Sequence, residues 1–404
     1  MTTTYTGPAP ADFTDVRATN LAVVLDYVRT NAPCSRADIA ASTGLNKATV
    51  SSLVGELIER RLLRETGMTE RRIGRPATMI VLDGAPYAAI GLDVGTDQLT
   101  VIAVDLGGEH LLAWRRAFTG RGATPGRSVA AIAALARRAL GRLADQGRQV
   151  LGLTVGVGGL VDPDGVVRIA TGLDWRDVPL RDSLVRALGA PDYPVTVDNS
   201  ANLAVLAEHR YGPYAGTPDL AYLTSGPGVS AGIVAGGRLL RGAGGYAGEI
   251  GHFVVDPGGP ECSCGRRGCL EAVAGVGALI RRLAGTEPAG DLEPEVAGIV
   301  RRARAQEPKT LAALHEAGRH LGHGASLLAN LVNPSVVILG GHYVPLAPWI
   351  LPTAGEALDT LVVAPQPPGA GLVASALGHD AAAVGGAAAV LDAVEAGRLP
   401  LPTA

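Results

Sequence analysis

At 404 residues and 47 % hydrophobic content, the chain is long enough for two or three domains and too apolar to be disordered. Aromatic residues make up only 4 %, so the core is aliphatic, and 55 glycines and 27 prolines without a period exclude a collagen-like repeat. A net charge of −3 excludes a uniformly basic nucleic-acid binder, yet residues 1–82 carry 10 Lys/Arg against 8 Asp/Glu while the remainder carries 25 against 30. No apolar run has the length of a membrane span, and Met1 to Pro10 has no basic patch followed by an apolar stretch. The expectation is a cytoplasmic protein without a membrane partner.

In chain order, residues 1–15 read as a disordered tail and residues 16–83 as a winged helix-turn-helix. Leu21, Val24, Leu25 and Val28 have the spacing of an amphipathic first helix, which Asn31-Ala32-Pro33 ends. Ser35 with Asp38 three residues on is a variant capping box for a second helix over 36–43, and Gly44 suits the left-handed turn after it. Asn46 then caps a third helix over 47–60, with Val50, Leu53, Val54, Leu57 and Ile58 facing inward. Helix, Gly-containing turn, helix is a DNA-reading pattern whose second helix enters the major groove. Its leading residues Asn46, Lys47, Thr49, Ser51 and Ser52 are small or polar enough to reach phosphates and base edges. Segments 62–65 and 77–82 pair as a hairpin whose tip holds Arg71, Arg72 and Arg75, a loop suited to backbone or minor-groove contact. The same residues also allow a small helical interaction module with a solvated basic loop.

Beyond Asp83 strands alternate with helices: strands over 88–94, 99–105, 110–116, 150–157, 195–197, 221–223, 230–234 and 336–339, with helices over 128–146, 201–211, 275–283, 297–305 and 310–331. That alternation is α/β, with two lobes around a cleft. Cys262, Cys264 and Cys269 lie within eight residues, with Gly265 and Gly268 permitting a tight knuckle, and His252 completes a four-ligand tetrahedral set for structural Zn2+. Reduced buried cysteines beside a core histidine are the alternative. Cys34 stands alone near a helix start and reads as a small buried apolar residue.

Glu249-Ile250-Gly251-His252 followed by Cys262-Ser263-Cys264-Gly265-Arg266-Arg267-Gly268-Cys269-Leu270-Glu271 resembles the ROK (repressor, open reading frame, kinase) family, and the resemblance covers nearly the whole chain. The reader followed by Gly74-Arg75-Pro76 is similar to its repressor branch, the sugar-responsive regulators of the N-acetylglucosamine and xylose repressor kind. The resemblance implies an actin-like, sugar-kinase-like (ribonuclease H-like) domain over 88–404 with its zinc knuckle at 252–269. It also implies an effector site of Asn199, Glu249, His252 and Glu271 for a small carbohydrate, and a homodimer or homotetramer on a palindromic operator. Carboxylates and amides suit vicinal hydroxyls, although Glu249 and Glu271 could instead brace the knuckle. Where the family has Asn-Leu-x-Trp, this chain has Gly172-Leu173-Asp174-Trp175, so one sugar-contacting amide is missing.

The catalytic parts are altered. Kinases of the family carry their base in Glu-Asn-Asp-Ala-Asn; here Asp198-Asn199-Ser200-Ala201-Asn202 puts Ser200 at that position, and a serine hydroxyl is no general base at neutral pH. Asp198 could substitute only if the strand end were displaced. The first phosphate loop reads Asp93-Val94-Gly95-Thr96-Asp97-Gln98, with an aspartate where phosphate would approach. The second reads Gly226-Pro227-Gly228-Val229-Ser230-Ala231-Gly232, in which Pro227 removes a donor and Ser230 and Ala231 add side chains. The expected protein is a non-enzymatic regulator of carbohydrate-related genes. The rivals are a sugar kinase with an appended reader and a regulator whose sensor binds a partner protein.

Overall fold

The computed structural model describes residues 13–68, 78–226, 228–286, 292–364 and 371–399. The reader is built from α1 (Phe13–Asn31), the short β1 (Cys34–Ser35), α2 (Arg36–Thr43), α3 (Lys47–Glu59) and the wing strands β2 (Leu63–Met68) and β3 (Thr78–Leu82). Its helix ends follow local chemistry. Ser35 Oγ accepts from the Asp38 N–H at 3.2 Å while the Asp38 carboxylate accepts from the Ser35 N–H at 3.0 Å, a complete capping box. Gly44 closes α2 at φ +74°, and Asn46 Oδ1 caps α3 by accepting from the Thr49 N–H at 2.8 Å. The wing pairs antiparallel with Leu63 opposite Leu82. α1 begins at Phe13, inside the stretch read as a tail.

The first lobe contains β4 (Tyr87–Val94), β5 (Gln98–Val104), β6 (His110–Ala117), α4 (Pro125–Asp145), β7 (Gln149–Val157), β8 (Leu160–Val161), β9 (Val167–Ala170), β10 (Trp175–Val178), α5 (Leu180–Ala187) and β11 (Val195–Asn199). α6 (Ser200–Tyr211) leads to the second lobe: β12 (Leu220–Ser225), β13 (Val229–Ala235), β14 (Arg238–Leu239), α7 (Leu270–Ala274), α8 (Val276–Ala284), α9 (Glu293–Arg304), α10 (Pro308–Val332), β15 (Val336–Gly341), α11 (Ala347–Leu361), β16 (Leu372–Ala374) and α12 (Ala381–Glu395). The two main sheets run β11-β7-β4-β5-β6 and β14-β13-β12-β15-β16. Each is therefore third-second-first-fourth-fifth in its own strand order, with the first, fourth and fifth strands parallel. That repeated order defines the actin-like, ribonuclease H-like architecture. In such sheets ligands bind beyond the carboxyl ends of the parallel strands.

Reader and sensor share one hydrophobic core. Leu21, Val24, Leu25 and Val28 of α1 pack in the same cluster as Tyr87, Ala89 and Ile102 of the first lobe and Val390, Leu391 and Val394 of α12. The Tyr87 hydroxyl also donates to the Arg60 carbonyl at the end of α3, at 2.6 Å. Composition marks no such junction: the sequence divides the reader from the sensor near Asp83, whereas the packing runs straight across.

Candidate functional site: a two-ended cleft and a cysteine knuckle

The carboxyl ends of β4, β7, β11, β12 and β15 open on one cleft of about 800 Å³. Its lining brings together Asn199, Glu249, His252 and Glu271, together with Asp93, Asp97, Ser200, Gly226 and Gly228. The effector-site and phosphate-loop positions read from sequence thus occupy two ends of a single space. Arg176, just after the Gly172–Trp175 segment, and Arg266, inside the cysteine knuckle, also line it, cations that the sequence reading did not single out.

At the Glu249–Glu271 end, burial raises the Glu249 carboxyl above the usual range, opposed by neighbouring His252 and reinforced by Glu271. Glu271, in the first turn of α7, accepts from the Val229 N–H and from the Ser263 hydroxyl, both at 3.1 Å. Both of its oxygens thus have protein partners, as a bracing role would require, while it still faces the cleft. Asn199 caps α6: its Oδ1 accepts from Ala201 N–H at 2.7 Å and its Nδ2 donates to Gly159 O at 2.8 Å. That accounts for its carbonyl and one of its two amide hydrogens. Gly172 lies on the cleft wall, as does Leu173. Asp174 beside them is left-handed at φ +56° and turns its carboxylate to the Gly122 N–H.

At the opposite end, where sequence places the phosphate loops, two loop N–H groups donate back into the protein. The Gly95 N–H donates to Gln98 O at 2.9 Å, and the Gly226 N–H to Gly228 O at 3.1 Å. Ser200 donates to Asp93 Oδ1 at 2.6 Å, and burial pushes that carboxyl up to about 6 despite the hydrogen bond. Asp198 cannot take the place of the base as the structure stands. One oxygen accepts from Asn199 N–H and Asn202 Nδ2, and the other pairs with Arg241 at 2.7 Å. Pro227 lies outside the described residues.

Next to the Glu249–Glu271 end the knuckle gathers its four side chains. One potential ligand atom each from His252, Cys262, Cys264 and Cys269 fall within 4.8 Å of one another. Cys264 and Cys269 sulfurs are 3.6 Å apart, and Cys262 Sγ is 3.7 Å from His252 Nδ1. Bond lengths of ~2.3 Å to sulfur at tetrahedral angles imply edges of roughly 3.8 Å, so the set fits a four-coordinate soft-metal site. Gly268 makes the turn possible: it sits at φ +69°, and a Cβ there would collide with the Asp256 carbonyl.

On the reader, Asn46, Lys47, Ser51 and Ser52 are exposed at the start of α3 and Thr49 is half-buried. Exposed Ala48 stands among them on the same turn, a small apolar contact that a search for polar residues passes over. Arg71, Arg72 and Arg75 lie outside the described residues.

A winged-helix reader packed against an actin-like two-lobed sensor defines a class of protein in which ligand capture and nucleic-acid reading share one chain. Comparison with known proteins specifies it further. Residues 89–393 match the ROK family, and residues 22–72 match the MarR family. The xylose repressor of Bacillus subtilis is 30 % identical over 95 % of this chain and 97 % of its own length. A crystal structure of a ROK family transcriptional regulator, a homologue of the Escherichia coli MLC protein, superposes with a TM-score of 0.79 at 25 % identity, covering 95 % of this chain and 97 % of the other. A ROK family glucokinase from Streptomyces griseus, solved with glucose and AMPPNP, gives 0.61 at 29 % identity over 74 % of this chain and 98 % of its own. This chain belongs to the ROK family. It is a DNA-binding transcriptional regulator, and no helix among the described residues is long and apolar enough to cross a membrane.

Proposed function

We propose that the chain is a repressor of carbohydrate-related genes, controlled by a neutral sugar or sugar derivative bound at the Glu249–Glu271 end of the cleft, and that it no longer phosphorylates that sugar. The observation that carries this reading is the asymmetry of the cleft. Polyol-binding groups converge at one end, while at the other the base position holds Ser200 and the loop N–H groups of Gly95 and Gly226 are satisfied internally. Phosphoryl transfer needs donors aimed at the phosphates, and the first phosphate loop presents Asp97 there instead. The names of its relatives, xylose repressor and N-acetylglucosamine repressor, make aldoses the first candidates.

In this reading Zn2+ is held by His252, Cys262, Cys264 and Cys269, and when bound it supplies a rigid staple without an open coordination position. With one imidazole nitrogen given to the metal, the other N–H of His252 can donate to a sugar hydroxyl, and the knuckle fixes Glu271 beside it. Asn46, Lys47, Thr49, Ser51 and Ser52 read the operator, assisted by Arg71, Arg72 and Arg75. A homodimer or homotetramer presents paired readers to a palindrome. Sugar binding between the lobes favours one degree of closure and so shifts the population of DNA-competent molecules.

The test uses full-length protein and an operator duplex recovered from genomic DNA by the protein itself. D-xylose, D-glucose and N-acetylglucosamine are titrated into the complex and followed by fluorescence anisotropy. Release by one of them, shifted to roughly tenfold higher sugar concentration in Glu271→Gln, is the expected result. Unchanged operator affinity with every sugar, and no calorimetric heat, would overturn the reading.

A further inference from the structure

The reader and the cleft are joined by more than shared packing. α6 starts in the cleft, where Asn199 is its cap and Ser200 its first residue, and its 12 residues run about 18 Å away from it. Its far end carries Arg210, whose side chain is only 5 % exposed. The Arg210 guanidinium grips Glu395 at the end of α12 with two bonds, 2.6 Å to one carboxylate oxygen and 2.8 Å to the other, and also pairs with Asp392. The second oxygen of Glu395 is simultaneously 3.1 Å from Nε of Arg29. Arg29 belongs to α1 of the reader, and α1 in turn holds the reading helix α3 through Arg17 Nε and Glu56 at 3.0 Å.

α6 and α12 are also the two helices that pass between the lobes, and they cross with no slack. A Cβ at Gly385 would collide with the Leu203 carbonyl of α6, and one at Gly91 of β4 with the Ala383 carbonyl of α12. Movement of α6 when the lobes close is therefore imposed on α12 by backbone contact, and both ends converge on one buried carboxylate. We propose that the Arg210–Glu395–Arg29 chain is the coupling element of this regulator: Arg210 and Glu395 transmit the state of the cleft to α1 through Arg29. This extends the reading of the cleft as the effector site by naming how its state reaches the reader. Arg29 lies neither in the cleft nor among the reading residues of α3; it links Glu395 to α1.

Coupling is reciprocal, so it is measurable from the DNA side without any sugar. Hydrogen exchange is followed on the full chain with and without the self-selected operator duplex. In the natural protein, operator binding should change exchange of residues 199–205, at the cleft end of α6, by threefold or more. In Arg29→Ala, whose side chain is one-third exposed in the parent, operator affinity should stay within about threefold while that change disappears. Arg29→Lys should restore part of it. The proposal fails if the operator leaves residues 199–205 unchanged in the natural protein, or if Arg29→Ala shows the full natural response. Should Arg29→Ala fail to bind the operator, Arg29→Gln is judged by the same two criteria. A missing sugar effector would appear only in the titrations above and leave this result intact.

Discussion

The two ends of the cleft use the same fold for opposite ends. At one end Glu249, His252 and Glu271, the proposed sugar-binding groups, face the open space, and His252 also belongs to the four-residue knuckle. At the phosphate end equivalent backbone turns fold their donors onto themselves, and Ser200 binds Asp93 where a base would need access to a hydroxyl. Binding groups can survive the loss of transfer groups because recognition needs only complementarity to the ground state, whereas transfer needs donors poised for charge in the transition state. A regulator needs only the first.

The largest effect that would break this contrast is loss of the knuckle. Chelation, or Cys264→Ala, should loosen the segment bearing His252 and Glu271 and reduce sugar affinity on the order of 100-fold, read by calorimetry. A variant that kept full sugar affinity would detach the knuckle from the sugar end. The phosphate end predicts a gain instead. Burial raises the Asp93 carboxyl from its ordinary range to about 6, so its favourable contribution exists below about pH 4 and is lost as pH rises through about 6. Asp93→Asn should therefore match the parent near pH 4 and exceed its stability by about 3 kcal/mol above pH 7, in urea melts at each pH. No gain at neutral pH would mean that the ionised carboxylate has a partner there.

How much of this was legible in the sequence depended on range. The capping of α2 and α3 by Ser35, Asp38 and Asn46 is decided within four residues and reads directly, as does the spacing of the three cysteines. α12 has no such local signal: its run of Ala and Gly is buried on all sides, so it lacks the polar stripe that announces a helix. β8–β10, α5 and α11 were likewise passed over, and α4 begins at Pro125 rather than Ser128, because proline at the first helical turn reads as a loop. Within the site, the identity of Ser200 was visible, but the pairing of Asp198 with Arg241 joins residues 43 positions apart on different lobes. The ion chain Arg29–Glu395–Arg210 spans almost the whole sequence and has no local signature.

Smaller effects sharpen the contrast. Glu271→Gln keeps the shape but weakens the acceptor, and should cost the sugar roughly tenfold in affinity, about 1.4 kcal/mol, with operator affinity in the absence of sugar unchanged. At the reader, Thr49→Ala or Ser52→Ala should alter preference at one or two operator positions by about 1 kcal/mol each and leave sugar heats untouched. Selection from random duplexes reads the first and calorimetry the second.

The central claim is that this cleft binds a sugar without phosphorylating it. The most direct measurement incubates full-length protein with MgATP and each sugar that binds, and follows phosphosugar formation over hours. The predicted result is calorimetric binding with no product above the protein-free blank, unchanged in Ser200→Ala. Steady product formation that Ser200→Ala or Asp93→Asn abolishes would contradict the account.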